Sequence, residues 1–292
     1  MKIVKYFFEF LSIISLFCIF KIIGLKKASY LGSVIGKYIG PFFRSKVITK
    51  TNIQIGITEI DKERETEIIE GMWSNFGRTF AEYMFLKEFK YNKTNFDHIK
   101  ITGTEYLNEI KENNEPVIFY SAHLANFELM AMELEKSGIK CAAIYRPLNN
   151  FFLNPLMEYL RMKYICPTQI PKGRSGMREI ITKIKNGYSV ALMMDQRVSE
   201  GIKVPFFNKD AFTSTIPAQI ALRYNCKLVP IFLERKKDVN FEMIIYKPYK
   251  IQKTGNDKED TKNITIQINQ ILETMILKNP NQWIWSHNRW KQ

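Results

Sequence analysis

The pattern of apolar and polar positions divides the chain into a hydrophobic beginning and a longer part of mixed character. Residues 6–25 are almost entirely apolar, and about 20 residues form a helix of about 30 Å, enough to cross the core of a bilayer. Glu9 and Lys21 interrupt this stretch, which predicts either one helix whose terminal charges snorkel or an anchor lying in the interface. We expect a membrane anchor at residues 1–27 and one folded domain at residues 28–292.

Two other interpretations of the beginning are open. Lys26 and Lys27 follow Leu25 directly, where a signal peptide would need a small-x-small cleavage site. A second apolar stretch at residues 28–43 continues the hydrophobic pattern, so a cleaved signal peptide is not favoured. A buried first helix of a soluble fold is the remaining alternative.

The longer part of the chain alternates between two periods. Residues 61–88 place apolar side chains at helical spacing after a charged start and predict a helix or a pair of helices. Short runs rich in β-formers then alternate with stretches of helical spacing. The predicted strands are residues 117–122, 140–145, 188–194, 227–233 and 241–246, and the predicted helices are residues 125–136, 154–164, 175–185 and 213–225. This alternation implies right-handed crossovers and an α/β fold, with a mainly parallel central sheet flanked by helices.

Composition narrows the class of protein. The 292 residues are 46% hydrophobic and 25% charged, which is typical of a globular chain. A mean hydropathy of −0.21 excludes a protein with many membrane spans. The four cysteines form no CxxC pair and have no close His partner in the sequence, so neither a zinc site nor a disulfide framework is indicated.

Positive charge exceeds negative charge, with 43 Lys and Arg against 29 Asp and Glu and a net charge of +14. Residues 1–60 carry 9 basic and 2 acidic side chains, and residues 139–292 carry 25 basic and 12 acidic ones. A basic beginning beside apolar residues fits an anionic membrane surface, and a basic C-terminal half fits an acidic ligand or protein. Nucleic acid is not indicated as a partner, because the sequence has no extended Lys/Arg run, zinc finger or RNP-like aromatic motif.

A histidine and a carboxylate follow the first predicted strand, where ligands collect in parallel sheets. His123 comes directly after the strand, and Glu128 lies five positions further on. The two side chains can work together only if His123 lies on the turn and Glu128 lies in the first helical turn, facing back. We then expect Glu128 to accept the imidazole N–H, so that His123 can take a proton from a substrate hydroxyl. A histidine that only caps the helix or satisfies a buried carbonyl is the alternative.

Three further charged residues are placed to complete such a site. Arg146 follows the second predicted strand, Arg161 lies one helix further on, and Asp195 follows the third strand. An arginine can neutralise a phosphate or a developing oxyanion. Each residue also fits a plainer role, as a surface arginine, a helix-capping aspartate or part of a turn. The segment at residues 201–212 predicts either an exposed apolar loop beside Lys203 and Lys209, suited to an amphipathic ligand, or a packed crossing loop.

An ordered set of motifs resembles a known family. HLANFE at residues 123–128 is similar to an H-x-x-x-x-E signature that usually reads HxGNWE, with Ala125 in place of the Gly and Phe127 in place of the Trp. The other matching segments are NFGRTFAEY (75–83), YRPLNN (145–150), Arg161, DQRVSEGIKVPFF (195–207), the helix after Thr213 and NPNQWIWSHNRWK (279–291). The set resembles the lysophospholipid acyltransferase-like superfamily and, within it, the lipid A biosynthesis (lauroyl/myristoyl) acyltransferases of Gram-negative bacteria.

The resemblance implies a fold and a reaction. The fold would be glycerol-phosphate acyltransferase-like, with an acyltransferase domain at residues 28–292 behind a single N-terminal membrane-anchoring helix. The acyl donor would be a thioester on acyl carrier protein, and the acceptor the hydroxyl of a hydroxyacyl chain on a phosphorylated, Kdo-bearing lipid A precursor. The protein would lie at the cytoplasmic side of the inner membrane. Neither a metal nor an organic cofactor is implied.

The resemblance also implies roles for particular residues. His123 would remove the hydroxyl proton, and Glu128 would orient and stabilise the imidazolium. Arg161 and Asp195 would belong to the substrate-binding site, and Arg146 would contact a phosphate or the oxyanion.

Two other functions are compatible with parts of the sequence. A related acyltransferase acting on another glycolipid or a lysophospholipid would keep His123 and Glu128, although YRPLNN and QWIWSHNRW favour the lipid A branch. A non-catalytic membrane-associated binding protein would need neither side chain. The terminal His287 is expected to be structural or substrate-facing and not a base.

Overall fold

The computed structural model describes residues 2–91 and 98–291. Its α-helices are α1 (Lys2–Ile23), α2 (Leu25–Ile39), α3 (Lys46–Gly56), α4 (Lys62–Glu82), α5 (Leu86–Tyr91), α6 (Thr104–Asn113), α7 (Glu128–Lys136), α8 (Asn154–Leu160), α9 (Arg174–Lys185), α10 (Ile216–Tyr224) and α11 (Asp257–Lys278). Its strands are β1 (Ile99–Thr102), β2 (Val117–Ser121), β3 (Cys141–Tyr145), β4 (Thr168–Pro171), β5 (Ser189–Met193), β6 (Ile202–Phe206), β7 (Lys209–Thr213), β8 (Lys227–Lys237) and β9 (Asn240–Ile245).

Seven of these strands form one sheet in the order β1-β9-β8-β2-β5-β3-β4. Every neighbouring pair is parallel except β8 and β9, which form an antiparallel hairpin. Helices cover the sheet, so the predicted α/β fold with a mainly parallel central sheet is confirmed. All five predicted strands are present, and residues 61–88 form a pair of helices, α4 and the beginning of α5.

The sheet separates two hydrophobic cores, as the alternation of side chains along a strand requires. On β2, Phe119 packs in the core that also holds Phe17 of α1 and Leu129 of α7. Ile118 and Tyr120 point to the opposite core, which contains the buried faces of α10 and α11. Every residue of β2 is therefore buried. The carboxyl end of β2 lies between the two helical layers, at the end of the sheet where the parallel strands finish.

The helix predicted from residue 125 begins three residues later, at Glu128. The cause is the backbone of Ala125, which has a left-handed conformation with φ of 49°. An L-residue in this region ends regular structure and costs about 1 kcal/mol. The turn after β2 is therefore longer than the apolar spacing indicates, and it holds His123.

The segment at residues 201–212 is not an exposed apolar loop. It forms most of the hairpin β6–β7, in which Val204, Phe206 and Ala211 are buried. The side-chain amide of Asn269 on α11 donates a hydrogen bond of 2.7 Å to the carbonyl of Pro205. Of the two predictions for this segment, the packed crossing segment is confirmed and the exposed apolar loop is wrong.

Helices α2 and α4 touch through glycines. A Cβ atom at Gly77 would lie 2.0 Å from the carbonyl oxygen of Gly32, and one at Gly36 would lie 2.2 Å from that of Trp73. Only glycine allows this approach of two backbones. The contact brings Ser29 of α2 to Glu82 at the end of α4, where its hydroxyl donates a hydrogen bond of 2.8 Å.

Helix α1 is the one helix in the described part of the chain that is long and apolar enough to cross a membrane. Gly24, with φ of 79°, separates it from α2. Since α2 begins at Leu25, the boundary expected after residue 27 lies within the first turn of α2.

Candidate active site

Two adjacent strands bring His123 and Asp195 together. His123 follows β2 and Asp195 follows β5, and the two strands pair in parallel, with Ser121 opposite Met193. The carboxyl ends of neighbouring parallel strands open at the same edge of a sheet, so the side chains that follow them meet.

Asp195 is the carboxylate that holds the imidazole of His123. Its Oδ1 lies 2.7 Å from Nδ1 of His123, and its Oδ2 accepts the backbone N–H of His123 at 2.9 Å. Trp283 donates its indole N–H to the same Oδ2 at 2.6 Å. The prediction that Glu128 accepts the imidazole N–H is wrong, because Asp195 occupies that position.

The environment keeps Asp195 ionised. Burial of this carboxyl, which is 2% exposed, by itself raises its pKa. The charge of His123 and the hydrogen bonds from His123 and Trp283 outweigh burial and lower the pKa to about 2. A carboxylate that is charged at neutral pH fixes the proton of His123 on Nδ1 and leaves a lone pair on Nε2.

The Nε2 atom of His123 lies on the side of the imidazole away from Asp195. The His123 side chain is 17% exposed, whereas Asp195 behind it is buried. The side-chain amide of Gln196 lies 3.4 Å from Nε2, a long contact that a substrate hydroxyl can replace. Phe127 packs edge-on against the imidazole, with ring centroids 4.6 Å apart. The geometry is that of a general base with one held nitrogen and one available nitrogen.

Glu128 belongs to a second cluster, with Arg161 and Tyr83. Its Oε1 accepts hydrogen bonds from Nη2 of Arg161 at 2.6 Å and from Nε at 3.1 Å. Tyr83 donates its hydroxyl to Glu128, and Arg161 Nη2 also lies 2.9 Å from that hydroxyl. Because Glu128 is the first residue of α7, its charge is stabilised by the N-terminus of the helix as well as by Arg161.

Arg161 is held rigidly but keeps one donor free. Its guanidinium carbon lies 5.8 Å from the ring centre of Tyr83 and 5.6 Å from that of Tyr145. Within the described residues its Nη1 is buried and has no hydrogen-bond partner. Arg161 also begins a π-helical turn, Arg161–Ile165, a distortion that is frequent at functional sites. A buried, unpaired guanidinium N–H is suited to bind a substrate oxygen.

The turn that carries His123 is supported from α4. The carbonyl of Ala125 accepts hydrogen bonds from the amide of Asn75 at 3.1 Å and from the hydroxyl of Thr79 at 3.0 Å. The side chain of the next residue, Asn126, donates to Glu82 Oε2 at 2.9 Å. These bonds fix the left-handed turn, and with it the direction in which His123 leaves the backbone.

A buried ion pair lies beneath the turn. Arg235 on β8 binds Glu82 through both terminal nitrogens, at 2.5 and 3.0 Å, and both side chains are at most 7% exposed. Arg235 Nε also donates to Asn75 Oδ1 at 3.0 Å. The pair therefore links the end of α4 to β8 and holds Asn75 in the orientation that supports the turn.

Arg146 lies apart from these clusters. It is exposed at the carboxyl end of β3, and the backbone N–H of Lys172 donates to the carbonyl of Tyr145 beside it. Burial lowers the pKa of Lys172, and the charge of Arg146 lowers it further. The structure therefore places Arg146 near Lys172 at the exposed carboxyl end of β3.

The terminal segment closes the site from behind. His287 accepts the backbone N–H of Arg197 on Nε2 at 3.1 Å, and its carbonyl accepts the side-chain amide of Asn52 at 2.7 Å. Burial lowers the pKa of His287 to about 4. Arg289 is fully buried, donates to Phe212 and Thr213, and its pKa is lowered by burial to about 10. The neutral His287 is a packing residue, as expected.

Several site residues were not predicted from the sequence. Trp283, Tyr83, Glu82, Asn75 and Arg235 all act through contacts between distant segments. The motifs at residues 75–83 and 279–291 mark four of these five positions by segment, without indicating what each side chain does. No sequence signal marks the fifth, Arg235, as a partner of α4.

Nothing in residues 2–91 and 98–291 groups three or more His, Cys, Asp or Glu side chains in a way that could hold a metal ion. All four cysteines are free, and only Cys18 is exposed.

Comparison with known proteins gives a consistent result over the length of the chain. A family profile described as bacterial lipid A biosynthesis acyltransferase matches residues 1–292. The chain is 23% identical over 270 residues to the lipid A biosynthesis palmitoleoyltransferase of Escherichia coli (strain K12), covering 90% of this chain and 84% of that protein. It is 22% identical over 267 residues to the lipid A biosynthesis lauroyltransferase of the same organism, covering 89% and 84%. A lipid A biosynthesis acyltransferase of Haemophilus influenzae is 22% identical over 259 residues, covering 85% and 78%.

The low pKa of His287 predicts a pH-dependent stability. The pKa of this histidine is about 4 in the folded chain and about 6.5 when unfolded, so the unfolded chain binds the proton more readily. Neutral His287 makes its full contribution to the free energy of unfolding above pH 6.5. This contribution decreases as the pH falls toward 4, and at pH 5 it is smaller by about 2 kcal/mol. The measurement is the urea midpoint of unfolding, followed by tryptophan fluorescence in detergent. As the pH is lowered from 6.5 to about 5, we expect this midpoint to fall more steeply for the wild type than for His287→Gln. Parallel pH dependences would contradict the assignment.

Proposed function

The chain belongs to the bacterial lipid A biosynthesis acyltransferase family, and we propose that it acylates the hydroxyl of a hydroxyacyl chain on a Kdo-bearing lipid A precursor. It is an acyltransferase of lipid A biosynthesis, and the proposed donor is an acyl thioester of acyl carrier protein. The reaction forms an ester and releases the carrier thiol, so it is an O-acyl transfer.

The observation that carries the proposal is the His123–Asp195 pair. Nδ1 of the imidazole lies 2.7 Å from a buried carboxylate, and the partly exposed imidazole leaves Nε2 on the side away from that carboxylate. A hydroxyl nucleophile is weak until its proton is removed, and an imidazole with one available nitrogen is suited to remove it near neutral pH. His123 is therefore proposed as the catalytic base and Asp195 as the residue that positions it.

The first step is attack on the thioester. Nε2 of His123 takes the proton of the acceptor hydroxyl while the oxygen forms a bond to the thioester carbonyl carbon. The carbonyl electron pair moves onto oxygen and gives a tetrahedral intermediate. Asp195, which stays ionised, stabilises the imidazolium that forms at this stage.

The second step is collapse of the intermediate. The electron pair returns from the oxyanion, the carbon–sulfur bond breaks, and the thiolate of the carrier leaves. The imidazolium can return its proton to that thiolate, which restores neutral His123. The balance is one thioester and one alcohol converted to one ester and one thiol, without an acyl-enzyme.

Arg161 and Glu128 are proposed to serve substrate binding. Glu128 holds the Arg161 guanidinium through two nitrogens, and the unpaired Nη1 of Arg161 provides a donor for an oxygen of the acceptor or of the intermediate. Glu128 thus acts through Arg161. This differs from its expected role on His123, although it keeps Glu128 important for turnover.

The charge distribution fits the proposed substrates. Arg146 and Lys172 together form a cationic edge suited to a phosphate of the acceptor. The basic C-terminal half suits an acidic carrier protein. The apolar helix α1 is proposed as the single anchor. The catalytic domain is proposed to lie at the cytoplasmic side of the inner membrane, where both substrates meet.

The donor and the acceptor are tested in one assay. The purified protein is incubated with the tetra-acylated, Kdo-bearing precursor and either acyl-carrier-protein thioesters or coenzyme A thioesters of the same chain lengths. We expect a product heavier by one acyl group, formed from the carrier thioester, when lipids are read by mass spectrometry. Product with a lysophospholipid acceptor but none with the precursor would contradict the proposed acceptor.

Variants of the catalytic pair give the second prediction. His123→Ala and Asp195→Asn are expected to lower kcat by about 100- to 10,000-fold, the usual contribution of general base catalysis. Glu128→Ala is also expected to lower turnover strongly, because Arg161 loses its ionic partner. His123→Ala and Asp195→Asn should keep the urea midpoint and the membrane fraction of the wild type. Glu128→Ala should lower the urea midpoint, because the largely buried Arg161 loses its ionic partner.

The matched control for these variants is His98→Gln. His98 precedes β1 at the far edge of the sheet, so its loss removes a histidine without touching the site. Turnover close to that of the wild type is expected. Near-normal turnover in His123→Ala would contradict the mechanism.

A further inference from the structure

We propose that α1 lies along one leaflet of the membrane and does not span the bilayer, with an outer stripe of apolar side chains as its lipid-contacting face. The inference rests on the proposed membrane location and adds the orientation of α1 in the membrane. The outer stripe consists of the large apolar side chains on α1 that are between 43% and 83% exposed, namely Ile3, Val4, Phe7, Phe8, Leu11, Ile19 and Ile22.

The opposite face of α1 is docked on the catalytic domain along almost its whole length. Near its beginning, the Tyr6 ring lies 5.9 Å from that of Phe151. Further along, Phe17 packs on Phe80, with ring centroids 4.9 Å apart. Between the contacts at residues 6 and 17 the helix rises about 16 Å, and partly buried residues of α1 pack against the core over this distance.

Polar contacts tie both ends of this face to the domain. The side-chain amide of Asn150 donates to the carbonyl of Tyr6 at 2.9 Å and lies 3.4 Å from a Glu9 oxygen. At the other end, Lys21 forms an ion pair of 3.1 Å with Glu88. A spanning α1 would either carry Asn150 and Glu88 into the hydrocarbon or break these contacts, and polar groups in hydrocarbon are costly without partners.

The spacing of charges on α1 agrees with this placement. Glu9 and Lys21 enclose 11 residues, which form about 16 Å of helix, half of the roughly 30 Å hydrocarbon core. A spanning helix would therefore place at least one of these charges inside the core. A helix lying in the interface keeps both charges at the boundary, where the domain supplies their partners.

The outer stripe lies on one side of the helix. At about 100° per residue its members fall within roughly half of the helix circumference, and Ser15 fills the same side between Leu11 and Ile19. Lys2, Lys5, Lys26 and Lys27 lie near its two ends and suit anionic headgroups. Interfacial helices of this kind bury the apolar face about 5–10 Å below the headgroups.

The loop that docks α1 also leads to the candidate site. Phe151, which is 51% exposed, packs on Tyr6 of α1, and it lies in the segment that follows β3 and Arg146. An in-plane α1 would hold this segment against the leaflet. A lipid acceptor could then reach Arg146 with its headgroup while its acyl chains stay in the leaflet.

Sidedness of the two ends of α1 tests the inference in the full-length protein. Lys2→Cys and Lys26→Cys are each made in a Cys18→Ser background, in which the remaining thiols are buried. Inverted inner-membrane vesicles and spheroplasts are treated with a membrane-impermeant maleimide. We expect both cysteines to react in inverted vesicles and neither in spheroplasts. Reaction of the two ends from opposite sides would show a spanning helix and overturn the inference.

Depth gives a second, independent measurement. Ser12 is exposed near the middle of α1, so Ser12→Cys in the same background carries an environment-sensitive fluorophore. Lipids with a nitroxide near the headgroup should quench it more strongly than lipids with a nitroxide at the end of the acyl chain. The reverse order would place residue 12 at the bilayer centre and overturn the inference.

These results separate the inference from the proposed function. Labelling of the two ends from opposite sides, with acyl transfer intact, would overturn only the in-plane placement. Absence of the protein from the membrane fraction would contradict the proposed membrane location as well. The Cys18→Ser background, which should show no labelling from either side, is the control for the buried thiols.

Discussion

The buried ion pair between Glu82 and Arg235 is the interaction on which the site depends. Two charges with at most 7% exposure are tolerated only when they pair well, and removal of one partner from such a pair typically costs about 3–5 kcal/mol. Arg235 orients Asn75, and Glu82 accepts a hydrogen bond from the side chain of Asn126. Asn75 and Asn126 thereby hold the turn after β2. The close glycine contact of α2 with α4 brings a further donor, Ser29, to Glu82. The direction of His123 therefore follows from charges buried beneath it.

The site differs from its linear motif in the partner of Glu128. His123 lies on the turn and Glu128 begins α7, as a His123–Glu128 pair would require, but the Glu128 carboxylate binds Arg161. The signature that HLANFE resembles usually has Gly in place of Ala125, and glycine adopts a left-handed conformation without strain. Two carboxylates thus divide the work. Asp195 holds the imidazole, and Glu128 holds Arg161.

The sequence predicts the strands and helices better than it predicts which side chains pair in the site. Apolar runs such as 117–122 and 188–194 mark central strands, and the residues that follow them, His123 and Asp195, are the ones that meet. Short or edge strands such as β1 and β4 carry too few residues for a clear period. Which carboxylate reaches the imidazole depends on β2 lying next to β5, 72 residues apart along the chain, and no local pattern reports that adjacency. The contact of Arg235 with α4 is equally long-range.

The central claim is that His123 works through Asp195 and not through Glu128. Kinetic double-mutant cycles on acyl transfer, His123→Ala with Asp195→Asn and His123→Ala with Glu128→Gln, test it most directly. Residues that act as one unit are strongly non-additive, so Asp195→Asn should cost little once His123 is alanine, whereas Glu128→Gln should still lower the residual rate. Full additivity of the His123 and Asp195 losses, with strong coupling of His123 to Glu128 instead, would contradict the account.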